Sequence, residues 1–310
     1  MFISIVIPTY NRLPILKKCL AALENQQLDP LIAGFEVIVV DDGSTDGTPS
    51  WLRTHAKQFP HVRLFEQEHA GPAKGRNRGV ENSAGEVIVF IDSDLVVRNS
   101  FLTNHVRALS RAWMSLGNRL CFTYGAVINT ANFEDPTSEQ HKLHDLSWAY
   151  FATGNVAIDK NVLEQSGLFD PIFCLYGWED LELGERLRKM GVKLIKCPKA
   201  IGYHWHPALR LEQIPDLIRI EKERSKMGLV FFRKHPTLRV RFIIQFTLIH
   251  LFLWELLTLG GLVNEKNLRP FLSFLIRRGH PGLAMEVLRI PLNRIGVREI
   301  YREASLNRIR

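Results

Sequence analysis

Carboxylates close two apolar runs in this chain, and another pair opens a later amphipathic segment. Val37-Ile38-Val39-Val40 runs into Asp41-Asp42-Gly43-Ser44-Thr45-Asp46-Gly47, and Val87-Ile88-Val89-Phe90-Ile91 runs into Asp92-Ser93-Asp94. The third cluster is Gly177-Trp178-Glu179-Asp180-Leu181-Glu182-Leu183-Gly184. Continuous Val/Ile runs mark strands buried on both faces of a parallel sheet. Ligands of open α/β sheets bind outside the carboxyl ends of such strands, so carboxylates on two strand tips share one crevice. Asp-x-Asp puts two carboxylates on the same side of an extended segment. Asp92 and Asp94 would repel unless a cation sits between them, and a divalent cation held there can in turn hold a diphosphate. Arg76, with Lys74 and Arg78 beside it, sits near a helix start. Positive charge is unfavourable at that place, which points to an anionic partner. Tyr203-His204-Trp205-His206 ends a segment expected to return to the crevice.

The elements that must position these groups follow from periodicity. Residues 3–7 read as a strand. Arg12 to Glu24 reads as a helix, with Ile15, Leu16, Leu20 and Leu23 at helical spacing. Phe35 to Val40, Val62 to Glu66 and Glu86 to Ile91 read as strands, with helices over Thr48 to Gln58 and from Gly75 to Ser83. This alternation predicts an α/β fold, a mainly parallel sheet covered by helices on both faces. Phe101 to Leu116 is a predicted helix, Leu120 to Asn129 a strand, Thr130 to His144 an exposed loop and Ala152 to Asp159 a strand reaching the site. Asp180 to Gly191 is a predicted helix with Leu183, Leu187 and Met190 on one face, and Lys193 to His204 leads back to the pocket.

The first segment, Ile5-Val6-Ile7-Pro8-Thr9-Tyr10-Asn11-Arg12, resembles the opening of glycosyltransferase family 2 proteins. The likeness continues through Asp41-Asp42-Gly43-Ser44, Gly75-Arg76-Asn77-Arg78-Gly79, Asp92-Ser93-Asp94 and Trp178-Glu179-Asp180, and covers about residues 1–206. Each piece alone is weak. The five in order are specific. The resemblance implies a GT-A fold, a nucleotide-diphosphate-sugar donor, a divalent metal (Mn2+ or Mg2+) and, in most members, inversion at the anomeric carbon. It further implies nucleotide-sugar contacts from Pro8, Thr9, Tyr10, Arg12, Asp42, Arg76, Asp92 and Trp178. Arg76 would reach the base or phosphates. Asp94 and His204 would be metal ligands, with Asp92 on the ribose or the metal through water. Asp180 would be the general base, with Glu179 beside it in the catalytic pair.

Each residue also has a plainer use. Asp42 can cap a turn, and Glu179 and Asp180 suit a helix N-terminus for dipole and capping reasons alone. His55, His61 and His250 read as structural or surface residues. A catalytically silent nucleotide-sugar-binding or scaffold protein is the main competing function, although such a protein would typically have lost Asp-x-Asp or the Glu-Asp pair. A nucleotidyltransferase would carry a Gly-rich basic loop near the N-terminus. No G-x-G-x-x-G follows the first strand, which disfavours a nicotinamide-binding domain.

At 310 residues and 46% hydrophobic content, the chain has room for one large α/β domain and an appendage. The expected division is a catalytic domain over 1–210, with its nucleotide-binding part at about 1–95 and its acceptor side at about 96–210. A basic, apolar helical region follows over 211–310. Residues 1–204 carry 21 Lys/Arg against 23 Asp/Glu, whereas residues 205–310 carry 19 against 9. The tail's balance of +10 suggests an anionic partner. Its Phe/Leu/Ile/Trp interleaving favours a membrane surface over nucleic acid. Phe242 to Val263 is long enough to span a bilayer but contains Gln245, His250 and Glu255. Spanning, lying in the interface and packing in a soluble core all stay open. Cys19, Cys121, Cys174 and Cys197 are scattered, no signal peptide is visible, and a reducing cytoplasm is expected. UDP is the commonest donor base. The sugar, the glycan or lipid-linked acceptor and the oligomeric state stay open.

Overall fold

Alternation along the first strand sets up two cores. In the computed structural model, which describes residues 1–140 and 150–306, β1 spans Phe2–Thr9. Ile3, Ile5 and Ile7 point to one face of the sheet and Val6 to the other, as a period of two requires. On the first face lie α1 (Leu13–Glu24), α2 (Thr48–Thr54) and α4 (Phe101–Leu116). Leu16, Leu20, Leu52, Phe101, Val106 and Leu109 from these helices bury the odd residues of β1. On the second face, α3 (Pro72–Glu81), α5 (Lys160–Gln165) and α6 (Glu179–Lys189) cover the sheet. Their Ala73, Val80, Leu163, Leu183 and Leu187 pack with Val6, Ile88 and Phe90. Strands buried on both faces cannot alternate apolar with polar, which is why they read as continuous Val/Ile runs.

The remaining strands are β2 (Gly34–Asp41), β3 (Val62–Glu66), β4 (Val87–Ile91), β5 (Leu95–Val97), β6 (Cys121–Thr130), β7 (Asn155–Asp159) and β8 (Lys193–Trp205). All eight form one sheet in the order β3-β2-β1-β4-β7-β6-β8-β5. Pairings among β1, β2, β3 and β4 are parallel, as is β6 with β8. The predicted mainly parallel sheet is thus modified at β7, antiparallel to β4 and β6, and at β5, antiparallel to β8. Two predicted elements are shorter than their apolar patterns. The helix from Thr48 gives way to a 3-10 turn over Ala56–Gln58, and the strand expected from Ala152 starts at Asn155. In the predicted loop from Thr130, Thr130 and Pro136 are buried, and Pro136–Ser138 makes a 3-10 turn. Residues 141–144 of that loop lie outside the described residues.

The chain divides into two compact units, one of Met1–Cys174 with Glu179–His206, the other of Leu175–Trp178 with Pro207–Arg310. The second is helical: α7 (Ile214–Lys234), α8 (Leu238–Ile243), α9 (Leu248–Leu257), α10 (Arg269–Arg277) and α11 (Pro281–Leu306). Leu272, Leu275, Ala284, Leu288 and Leu292 form its core with Leu209 and Ile214. Gly296 lets α11 approach α7. A Cβ there would lie 2.6 Å from Glu221 Oε1, and Ser225 Oγ donates to Gly296 O at 3.0 Å. The 20 residues from Leu238 to Leu257 are apolar enough by composition to cross a membrane. The backbone nevertheless breaks between α8 and α9, where Gln245 adopts φ 60° and Thr247 caps α9.

Candidate active site

Strand register brings the first motif residues together. β1 and β2 run parallel with Thr9 opposite Asp41, and Asp42 N donates to Thr9 O at 2.9 Å. The loops beyond the two tips are tied to each other. Asn11 N donates to Ser44 Oγ (2.8 Å), Thr45 N to Asn11 Oδ1 (2.8 Å) and Leu13 N to Asp46 Oδ2 (2.9 Å). Much of the Asp-Asp-Gly-Ser-Thr-Asp motif is therefore a clasp, and Gly43 and Gly47 supply its left-handed turns (φ 84° and 86°).

The Asp42 carboxylate accepts from Ala70 N and Gly71 N, both at 2.9 Å, and from Gln67 Nε2 at 2.7 Å. It fixes the loop after β3, which is a capping role, at a loop distant in sequence. His69 Nδ1 lies 2.9 Å from Asp42 Oδ2, and the His69 ring packs on exposed Tyr10 with centroids 4.4 Å apart. Nothing in the sequence singles out His69. It lies outside every motif, and only the fold brings it to Asp42.

The spacing of Gly75-Arg76-Asn77-Arg78-Gly79 has a packing reason. Gly75 and Gly79 lie on the face of α3 that meets β1. A Cβ on Gly79 would lie 2.3 Å from Val6 Cγ1, and one on Gly75 would lie 3.3 Å from Pro8 Cβ. Asn77 clamps Phe169 through both its carbonyl and its amide (2.9 and 2.7 Å). Arg76, the residue after the first of these glycines, is buried. Its Nη1 donates to Glu179 Oε1 at 2.8 Å and its Nη2 to Asp92 Oδ1 at 3.1 Å. The sequence pointed Arg76 at a base or phosphate. Here its guanidinium is spent on two carboxylates, because burial demands partners for the charge. Removing it strands both of them. We expect Arg76→Met to cost about 3–5 kcal/mol of stability, read from denaturant unfolding. A loss under about 1 kcal/mol would mean the pairs are dispensable.

The turn after β4 carries Asp92 and Asp94. Leu95 sits opposite His204 in the β5–β8 pairing, and Trp205 N donates to Asp94 O at 2.9 Å. His204 Nε2 thereby comes to 2.9 Å from Asp94 Oδ1, while Arg12 Nη1 lies 3.3 Å from Asp94 Oδ2. Burial opposes ionisation of Asp94. The His204 hydrogen bond and the charges of His204, Arg12 and His206 outweigh it and hold the carboxyl below its usual range. His204 is raised in turn: burial works against its charge, but Asp94 prevails. Asp92, Asp94 and His204 offer ligand atoms all within 4.8 Å of one another. Gly154, just before β7, comes close to the cluster; a Cβ there would lie 3.2 Å from Asp92 Oδ2.

Glu179 and Asp180 are delivered by a backbone reversal. Gly177 and Trp178 both have positive φ (95° and 76°), and α6 starts immediately after. The strain at Trp178 is balanced by burial of its indole, whose Nε1 donates to Arg224 O at 2.7 Å beside Phe231. Trp178 belongs to the second unit, and this packing is what its side chain does there. A helix N-terminus favours carboxylate charge. Asp180 is nonetheless pushed up to about 7, first by burial and then by the charge of Glu179, with Arg76 opposing. Thr9 Oγ1, Asp41 Oδ2, Arg76 Nε and Glu179 Oε2 are buried here without hydrogen-bond partners. Buried polar atoms left without partners mark a ligand site or a strain reservoir.

A family model described as glycosyl transferase family 2 matches residues 4–167. The chain belongs to glycosyltransferase family 2. Among curated relatives of this family member is the uncharacterized glycosyltransferase YfnE of Bacillus subtilis, 26% identical over 69% of this chain and 67% of the relative. Another is the glycosyltransferase AglE of Haloferax volcanii, 30% identical over 66% of each. Other curated relatives are matched over only 26% of their length. The fold is GT-A. It is shared with the mannosyltransferase PcManGT of Pyrobaculum calidifontis in complex with GDP-Man and Mn2+, with TM-score 0.61, 20% identity and coverage of 97% of this chain and 87% of that one. TarS of S. aureus in complex with UDP matches at TM-score 0.50 and 16% identity, over 98% and 92%. For this family 2 chain, two carboxylates and an imidazole converging at strand ends fit a hard-to-borderline divalent cation.

Proposed function

We propose that this protein moves a sugar from a nucleoside diphosphate donor to a hydroxyl of a glycan or lipid-linked acceptor, with inversion and with a divalent metal. The observation that carries this reading is the convergence of Asp92, Asp94 and His204, with the half-buried Asp180 beside it, its carboxyl pushed up by burial and by the charge of Glu179. A silent sugar-nucleotide-binding protein has no use for such a carboxyl, whereas a general base works best with a pKa near the operating pH.

In the single displacement, the acceptor oxygen bonds to the anomeric carbon as the bond from that carbon to the diphosphate oxygen breaks. The acceptor proton passes to Asp180, and the electron pair of the broken bond leaves with the diphosphate. Asp92, Asp94 and His204 would hold Mn2+ or Mg2+, which supplies neutralisation of charge on the leaving diphosphate. Arg76 holds Asp92 and Glu179 in place and offsets part of their charge. Thr9, Tyr10 and Asp42, with the unforeseen His69, form the side proposed for the nucleoside. Pro8 contributes at the same strand end, packed against α3 at Gly75. Arg12 beside Asp94 is proposed to stay with the donor phosphates. PcManGT binds GDP-Man and TarS binds UDP, so the donor base here is chosen by experiment, with UDP as the first trial. All four cysteines are free and three are buried, which supports a reducing, cytoplasmic setting.

The test is a pH profile. A base must be unprotonated to act, so kcat/KM should fall as pH drops below about 7, following Asp180. Glu179→Gln removes the charge that helps raise Asp180, and the limb should move to lower pH. A limb that stays in place in Glu179→Gln, or one in the usual carboxylate range in the native enzyme, assigns the base elsewhere.

A further inference from the structure

The polar side chains Gln245, His250 and Glu255, which interrupt the apolar run of the second unit, are half-buried and each has a partner within the unit. Glu255 is paired with α11, its Oε1 2.5 Å from Arg298 Nε and its Oε2 3.1 Å from Arg294 Nη2. Gln245 Oε1 accepts from Trp254 Nε1 at 2.6 Å. His250 Nδ1 lies 2.7 Å from Thr247 Oγ1. What α9 and the turn after it present outward is wholly apolar: Leu248 (73% exposed), Ile249, Phe252 (71%), Leu256, Leu259 and Leu262 (70%). Leu248, Phe252 and Leu256 are four residues apart and share one side of the helix. No residue of α9 is buried. A contiguous apolar surface of this kind marks an interaction site.

We propose that this stripe lies in the surface of an anionic lipid bilayer, as a monotopic anchor that does not cross it. Three observations select this occupant. Lys266, Arg269, Arg277 and Arg278 follow the stripe in sequence and are exposed, and residues 205–310 carry a balance of +10. Cations beside an inserted apolar face draw a polypeptide to anionic lipid. A second copy of this face would bring the same positive charge against itself, so a homodimer there is electrostatically opposed. The ten residues of α9 reach only about 15 Å, about half of a hydrocarbon core, and the break at Gln245 prevents α8 from extending them.

The test is co-sedimentation of the full chain, without detergent and at low salt, with vesicles of phosphatidylcholine alone or with added phosphatidylglycerol. The chain should pellet with the anionic vesicles and stay largely in solution with the neutral ones. Phe252→Gln with Leu256→Gln alters two exposed side chains and should lose most of the binding. Lys266→Gln with Arg269→Gln should weaken it roughly thirtyfold, from the attraction expected of two surface cations. As a second reading, Phe252→Trp should shift its emission to the blue when anionic vesicles are added. A chain left in the supernatant with anionic vesicles, or an unshifted emission, overturns the proposal. So does a dimer by light scattering that Phe252→Gln with Leu256→Gln makes monomeric while vesicle binding is unchanged. Retention in the bilayer through a carbonate and high-salt wash would mean a span and overturns the surface reading.

Discussion

Asp180→Asn is expected to lower turnover by about 10²–10⁴-fold, the usual contribution of a general base, while donor affinity holds. The substitution keeps the size of the side chain and its acceptor for Leu181 N but takes away the capacity to receive a proton. Stability should respond in the opposite direction. In the folded chain Asp180 titrates at about 7 against an ordinary 3.8. Between those values the folded state binds more protons than the unfolded one, so this group's contribution falls as pH rises through that window and is lost above it. Asparagine carries no such penalty. Asp180→Asn should therefore melt no lower than the native chain at pH 8, and closer to it or below at pH 4. Slow turnover with preserved or improved melting separates a chemical role from a structural one. Near-normal turnover in Asp180→Asn would hand the role to another group, with Glu179 first in line.

Asp94→Ala should abolish the metal dependence of nucleotide binding measured by calorimetry, weakening donor binding by at least the 10–100-fold that removal of even supporting groups costs a metal site. Asp94 touches both His204 and Arg12, so the substitution frees the Arg12 charge as well as removing a ligand. Some metal-independent attraction for the diphosphate should survive for that reason, and it should weaken with salt. Asp94→Asn is the milder control. It retains the shape and loses the charge, and it should also lose cation dependence. Unchanged affinity and an unchanged response to Mn2+ in both variants would remove Asp94 from the metal site.

The parts of the fold that are local were legible in the sequence. Val62–Glu66 and Phe101–Leu116 were expected at the bounds they have, the helix because Gly117 (φ 66°) stops it in a left-handed cap. The gathering of Asp92, Asp94 and His204 was also anticipated, from the positions the family resemblance implies and from a strand expected to return to the crevice. The antiparallel insertion of β7 between β4 and β6 was not, since a buried strand carries no mark of its partner's direction. The ion pairs of Arg76 were missed for a related reason. A sequence shows a charge but not its burial, and burial is what commits the guanidinium to Glu179 and Asp92. Trp178 shows the same limit, its indole being engaged by Phe231 and Arg224. The break at Gln245 did leave a trace in Thr247, a good N-cap residue inside an otherwise apolar run.

The most direct measurement of the central claim is nucleotide release by the purified chain from a panel of nucleotide sugars, with water standing in for the acceptor hydroxyl. Release is followed with chelator, and again after Mn2+ is restored. The account predicts that at least one donor is consumed, that consumption falls to background when divalent cations are removed, and that Mn2+ brings it back. Release that is equal in chelator and in Mn2+, or absent with every donor in the presence of Mn2+, would contradict metal-dependent sugar transfer at this site.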